Sequence, residues 1–217
     1  KKIININELK INKKIKNIEK YSFFKKIILK NKLFKKILIK INKNSNQIID
    51  DLQYKKQLAI RCEEYKNYYN GVTYCSTHGD YQGCQLIFEN GEIKAVIDFS
   101  SASCLPVTWE IMRSFVQSSN YCRTNAKVDI KAFCEYVQEY LKFSSLTKTD
   151  MIAMPYVYLF QLARSKYGYP QYLNSDSEDK EGLLQFAFWR TKMCREVEKN
   201  AESISNELVK LLENNSI

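Results

Sequence analysis

The sequence predicts a mostly α protein with a single β-hairpin at its centre. Three observations carry that expectation. Glycine and proline are scarce, six and three in 217 residues, too few for the many turns of a β-sandwich. Apolar residues recur at three- and four-residue spacing along most of the chain. One Asn-Gly pair, Asn90-Gly91, joins two short apolar runs and is a strong hairpin signal. Apolar residues make up 45% of the chain, with 15 Tyr and 11 Phe, which suits helices packed by aromatic rings and argues against global disorder.

The elements follow in order. Residues 1–20 are weakly patterned. From Phe23 to Ile41 the apolar residues keep helical spacing with lysines on the opposite face. That pattern is read as an amphipathic core helix with a lysine-coated back, in preference to a membrane-surface helix. The stretch NKNSN at 42–46 is expected to be a loop, and Ile48 to Tyr69 a second helix closed by Asn70-Gly71. After the hairpin, Pro106 is expected to start a helix bearing Trp109, Met112, Phe115 and Val116. Asp129 begins another with Phe133, Val137 and Tyr140. Thr149-Asp150 caps a third, with Pro155 near its first turn. Residues 174–182 form an acidic loop, and a long helix runs from about Leu183 to Leu212. The expected organisation is a basic helical segment, 1–70, leading into one domain, 71–217.

Charge is unevenly spread. Residues 1–43 hold fifteen Lys and two Glu, a balance of +13, which leaves −3 for residues 44–217 of a chain with net charge +10. The basic segment has no Arg and no Gly, so a nucleic-acid partner is disfavoured. Seven cysteines are scattered without a C-x-x-C pair, and there is one histidine, which argues against a Cys/His zinc site. The odd count suits reduced thiols and a cytoplasmic location.

Residues 77–101, THGDYQGCQLIFENGEIKAVIDFSS, carry the chemistry. A two-residue turn at Asn90-Gly91 predicts that Glu89 faces Glu92, Phe88 faces Ile93, Leu86 faces Ala95, Gln85 faces Val96 and Gly83 faces Asp98. Leu86, Phe88, Ile93, Ala95 and Ile97 then share a face expected to be buried. This register delivers Asp98 beside the segment Asp80–Gln85. Two oxygen-bearing side chains at one loop suit a hard cation such as Mg²⁺, which takes one or two protein ligands and completes its shell with water and phosphates.

The motif H-G-D, a polar amide five residues on, and a hairpin ending in I-D-F resembles the catalytic core of the aminoglycoside phosphotransferase and choline kinase-like superfamily, a branch of the protein-kinase-like fold. The spore-coat kinase-like bacterial members show a similar flavour in THGDY, IDF and WEIMRSF. The resemblance is confined to residues 77–117. It implies that Asp80 is the catalytic aspartate that orients the acceptor hydroxyl and takes its proton, that Asp98 and Gln85 hold Mg²⁺, and that His78 supports the loop. It implies ATP or GTP as phosphate donor and a small-molecule alcohol as acceptor. Trp109 and Glu110 are candidate substrate contacts, with a structural role the preferred reading for each. Two departures stand out. Gln85 occupies the position of the family's metal-binding Asn. The first glycine is Gly71, and nothing upstream reads as a glycine-rich phosphate loop or a five-stranded sheet. The expectation is therefore a kinase-like C-terminal lobe without its nucleotide lobe, with little turnover alone and a tendency to self-associate or to take a partner over the face such a lobe covers. The alternative is a non-catalytic kinase-like scaffold or coat component.

Overall fold

The computed structural model describes residues 32–174 and 178–214, so residues 1–31 and the centre of the acidic loop lie outside the described part. The chain divides into two compact units, residues 1–57 and 58–217. The described part of the first unit is helical throughout and belongs to α1 (Lys32–Arg61). The loop expected at 42–46 is thus a correction: the helix runs through it. Asn and Ser each cost no more than ~0.7 kcal/mol against Ala in a helix interior and Lys costs less, and neither Gly nor Pro is present there to break it. The helix also stops earlier than expected, at Arg61, and gives way to a 3-10 turn, Glu64–Tyr69.

In the second unit a short antiparallel sheet precedes the helices. β1 (Tyr74–Thr77) pairs with β4 (Ser103–Pro106), Thr77 opposite Ser103. Between them lies the hairpin of β2 (Leu86–Glu89) and β3 (Glu92–Val96). Its turn is as expected, with Asn90 at φ 53° and Gly91 at φ 83°. Its register holds only beside the turn, where Glu89 meets Glu92 and Phe88 meets Ile93. A bulge then adds Lys94 to β3, so Ile87 meets Ala95 and Leu86 meets Val96 rather than Ala95. The expected buried face is a second correction. Phe88, Ile93 and Ile97 are 57%, 52% and 41% exposed, because among the described residues β2 and β3 form a two-stranded ribbon with little packed on that face.

The core is helical. α2 (Val107–Ser118), α3 (Asn120–Asn125), α4 (Ile130–Leu141), α5 (Lys148–Arg164), α6 (Tyr169–Asn174) and α7 (Lys180–Asn214) follow β4. α5 packs against α2, α7 and the 3-10 turn, burying Met151, Met154, Val157, Tyr158 and Leu159. Opposite it α7 buries Leu184, Met193, Cys194, Val197 and Ile204 along an unbroken helix. The hydroxyl of Ser205 on α7 donates to the Ile152 carbonyl at 2.8 Å, and the Trp189 indole donates to the Cys122 carbonyl at 2.9 Å. Pro155 sits inside α5 rather than in its first turn. It removes one backbone hydrogen bond from the helix interior, and its ring is buried in the core. Seven cysteines are free, and burial, reinforced by the nearby Glu198 charge, pushes the Cys62 thiol up to about 12. Among the described residues, no helix is long and apolar enough to cross a membrane.

The start of β1 is pinned to α5 by one carboxylate. The α5 cap is Thr147, not Thr149, and forms a capping box with Asp150. Asp150 is fully buried and also accepts from the Thr73 N–H at 2.7 Å and the Thr73 hydroxyl at 2.8 Å. Replacing it strands several buried donors, and each costs ~1–3 kcal/mol when left unpaired. Asp150→Ala is expected to lower the unfolding free energy by about 3 kcal/mol, measured by urea denaturation.

Candidate functional site

The site is built where β1 ends. β4 lies against β1 and runs through Pro106 into α2, so the first turn of α2 stands beside the residues that follow Thr77. The Thr77 hydroxyl donates to the Ser103 carbonyl at 2.9 Å and closes the sheet at that end. Glu110, in the first turn of α2, then accepts two successive backbone N–H groups, His78 at 2.9 Å and Gly79 at 2.5 Å. A carboxylate is favoured there twice over, by the helix N-terminus and by charge-assisted bonds.

His78 is 7% exposed and works as the loop's second tie. Its Nε2 donates to the Ile97 carbonyl at 2.8 Å, and its Nδ1 accepts the Asp80 N–H at 3.3 Å. Its ring packs on Phe99 at 4.6 Å. Gly79 follows at φ +81°, and a Cβ placed on it would lie 2.0 Å from the Ser101 carbonyl oxygen. The loop bearing Asp80 and the turn bearing Asp98 are therefore in direct contact.

Asp80 faces a cleft of about 650 Å³. Its carboxylate pairs with Arg113, one helical turn beyond Glu110, and accepts from Gln82 Nε2 at 3.1 Å. Trp109 lines the same cleft, with the Arg113 guanidinium 5.6 Å from its ring centre. Trp109, Glu110 and Arg113 thus form one face of α2 directed at the HGD segment.

Asp98 sits outside the cleft at an exposed position, in the left-handed conformation with φ 62° and ψ 61°. Aspartate tolerates that region better than most residues, and such positions concentrate at functional turns. Ser100 Oγ donates to one carboxylate oxygen at 2.6 Å, and this bond holds the carboxyl below the usual carboxylate range. Gln85, in a 3-10 turn, accepts the Ile97 N–H on its backbone carbonyl at 3.0 Å, and its side-chain amide lies 3.5 Å from Asp98. The NH₂ is the end assigned toward Asp98, and a flip of the amide would present its oxygen instead. In that flipped orientation one carboxylate and one amide oxygen would suit a magnesium ion that takes its remaining ligands from water and phosphate. Among the described residues no three His, Cys, Asp or Glu side chains gather as a metal cluster.

The structure thus brings together His78, Asp80, Glu110 and Trp109, and sets Gln85 and Asp98 on the adjoining turn. Glu110, a candidate substrate contact for which a structural role is the preferred sequence reading, has its carboxylate engaged by the loop backbone. The sequence reading missed Arg113, Arg123, Tyr158 and Arg190, which line the cleft. For Arg113 a signal existed: it stands three residues after Glu110, on the same helical face. Comparison with protein-family models, with curated proteins and with solved structures returned no match.

The contact at Gly79 yields a paired prediction. Gly79→Ala is expected to lower the melting temperature by at least about 5 °C, through a left-handed alanine and a clash with backbone. At Gly83 the place a Cβ would take is open, with nothing within 4 Å, so Gly83→Ala is expected to shift the melting temperature by less than about 2 °C in the same calorimetric scan.

Proposed function

We propose that this chain is the acceptor-binding and catalytic part of a magnesium- and nucleotide-dependent phosphotransferase acting on the hydroxyl of a small molecule. The observation that carries the reading is the position of Asp80. A doubly tied loop holds it at the cleft, and the loop touches the turn that bears Asp98. The likeness of HGD and IDF to the kinase-like superfamily supports the same assignment.

In this reading Asp80 orients the acceptor hydroxyl and takes its proton as the oxygen attacks the donor's terminal phosphorus, while the bond from that phosphorus to the bridging oxygen breaks and the nucleoside diphosphate leaves. The paired Arg113 holds the carboxylate in place at the cleft. Glu110 and His78 contribute by positioning, since both act on the loop and not on the substrate. Asp98 and Gln85 are the residues that would hold Mg²⁺, whose charge would offset that of the phosphates.

A second reading, a non-catalytic kinase-like scaffold, is favoured by Gln85, whose longer side chain presents NH₂ toward Asp98. One experiment separates the two. The chain is incubated with Mg-ATP and a panel of small alcohols, and phosphorylated product is followed by ³¹P NMR. Slow, Mg²⁺-dependent transfer is expected, falling at least ~10²-fold in Asp80→Asn. Absence of product, together with equal Mg²⁺ binding heats for the native chain and Asp98→Ala, would leave the scaffold reading.

A further inference from the structure

The cleft beside Asp80 carries an uneven charge balance. Arg113, Arg123 and Arg190 line it, and Asp80 is the one carboxylate among the described residues of its lining. Since Asp80 is already paired with Arg113, two positive charges stand uncompensated in that lining. Burial also pushes the Arg190 guanidinium below its ordinary range, the mark of a cation partly stripped of water. Nη1 of Arg113 and Nε of Arg190 are buried without a hydrogen-bond acceptor among the described residues. Buried guanidinium N–H groups are rarely left this way, because each unpaired donor costs ~1–3 kcal/mol.

The guanidiniums are also held in place. The Phe186 ring meets both Arg123, at 5.9 Å, and Arg190, at 5.5 Å, and Arg123 also lies over Trp189 at 5.2 Å. Arg123 is tied further through Gln117 at 3.3 Å. Planar guanidiniums fixed by aromatic faces match the geometry of an oxyanion. The same cleft repels a polycationic or quaternary-ammonium acceptor.

We propose that the cleft binds a hydroxylated small molecule bearing an oxyanion, a phosphate or a carboxylate, seated among Arg113, Arg123 and Arg190 with its ring against Trp109 or Tyr167. As a statement about the acceptor this rests on the phosphotransferase reading; as a statement about binding it does not. In such a complex the anion supplies the missing countercharge, and a hydroxyl of the same molecule reaches Asp80.

The test is nucleotide-free calorimetry on the full chain with glucose 6-phosphate, glucuronate, glucose and kanamycin as probes. At least one anionic sugar is expected to bind at least ~10-fold more tightly than glucose, with kanamycin weakest and affinity falling as salt rises. Preference for glucose 6-phosphate assigns a phosphate, and preference for glucuronate assigns a carboxylate. Arg190→Gln and the exposed Arg123→Gln should each weaken the anionic probe at least ~10-fold. Arg123→Gln keeps the test valid if loss of Arg190 disturbs folding. Binding of kanamycin or glucose as tight as that of both anionic sugars, or full affinity in Arg123→Gln, would overturn the proposal. Failure of phosphoryl transfer would leave these binding results unchanged, so the two readings fall separately.

Discussion

The site depends on a single carboxylate. Glu110 takes the N–H groups of His78 and Gly79, and so converts a loop that follows a four-residue strand into a fixed platform. Hydrogen bonds to a charged group contribute ~1.5–3 kcal/mol each, more than most surface contacts in a fold of this size. The platform works only because Gly79 adopts a positive φ and leaves no Cβ to collide with Ser101. Asp80 inherits its direction from that geometry. One turn further along α2, Arg113 meets it from the cleft side. A single helical face therefore reads two positions of the same loop, its backbone through Glu110 and its functional side chain through Arg113.

This arrangement ties the site to the core. α2 is held by Ile111, Met112, Phe115 and Val116, all buried, and by a hydrogen bond of 2.9 Å between Ser114 and Tyr136 of α4. α5 and α7 form the far side of the cleft with Tyr158, Gln161 and Arg190. By contrast the β2–β3 ribbon, with Ile87, Phe88 and Ile93 exposed, adds little to the core. Its contribution is to deliver Ile97 and Asp98 back beside the loop, where the His78 ring secures them.

The sequence made the local parts of this picture legible and hid the distant ones. The Asn90-Gly91 turn and the Asp129 helix start are set by residues next to one another, and they were readable. The HGD segment was legible as a motif, but the contacts that hold it come from Glu110, Ile97 and Ser101, well along the chain. The bulge at Lys94 was not, because one extra residue in a short strand leaves no compositional trace. The pairing of β1 with β4 was equally hidden: YCST and SCLP show no alternation that marks them as partners. The helix through 42–46 was misread because five polar residues in a row resemble a loop, although none of them breaks a helix. The arginine-lined cleft draws on α2, α3 and α7, with Arg113 and Arg190 far apart in the chain, so only tertiary packing assembles it.

Amide hydrogen exchange by NMR tests the central claim most directly. If the Glu110 carboxylate holds the loop, the His78 and Gly79 amides exchange slowly in the native chain, and both accelerate by at least ~10-fold in Glu110→Ala while the buried amides of α5 stay protected. Fast exchange of both amides in the native chain, or unchanged protection in the variant, would contradict the account.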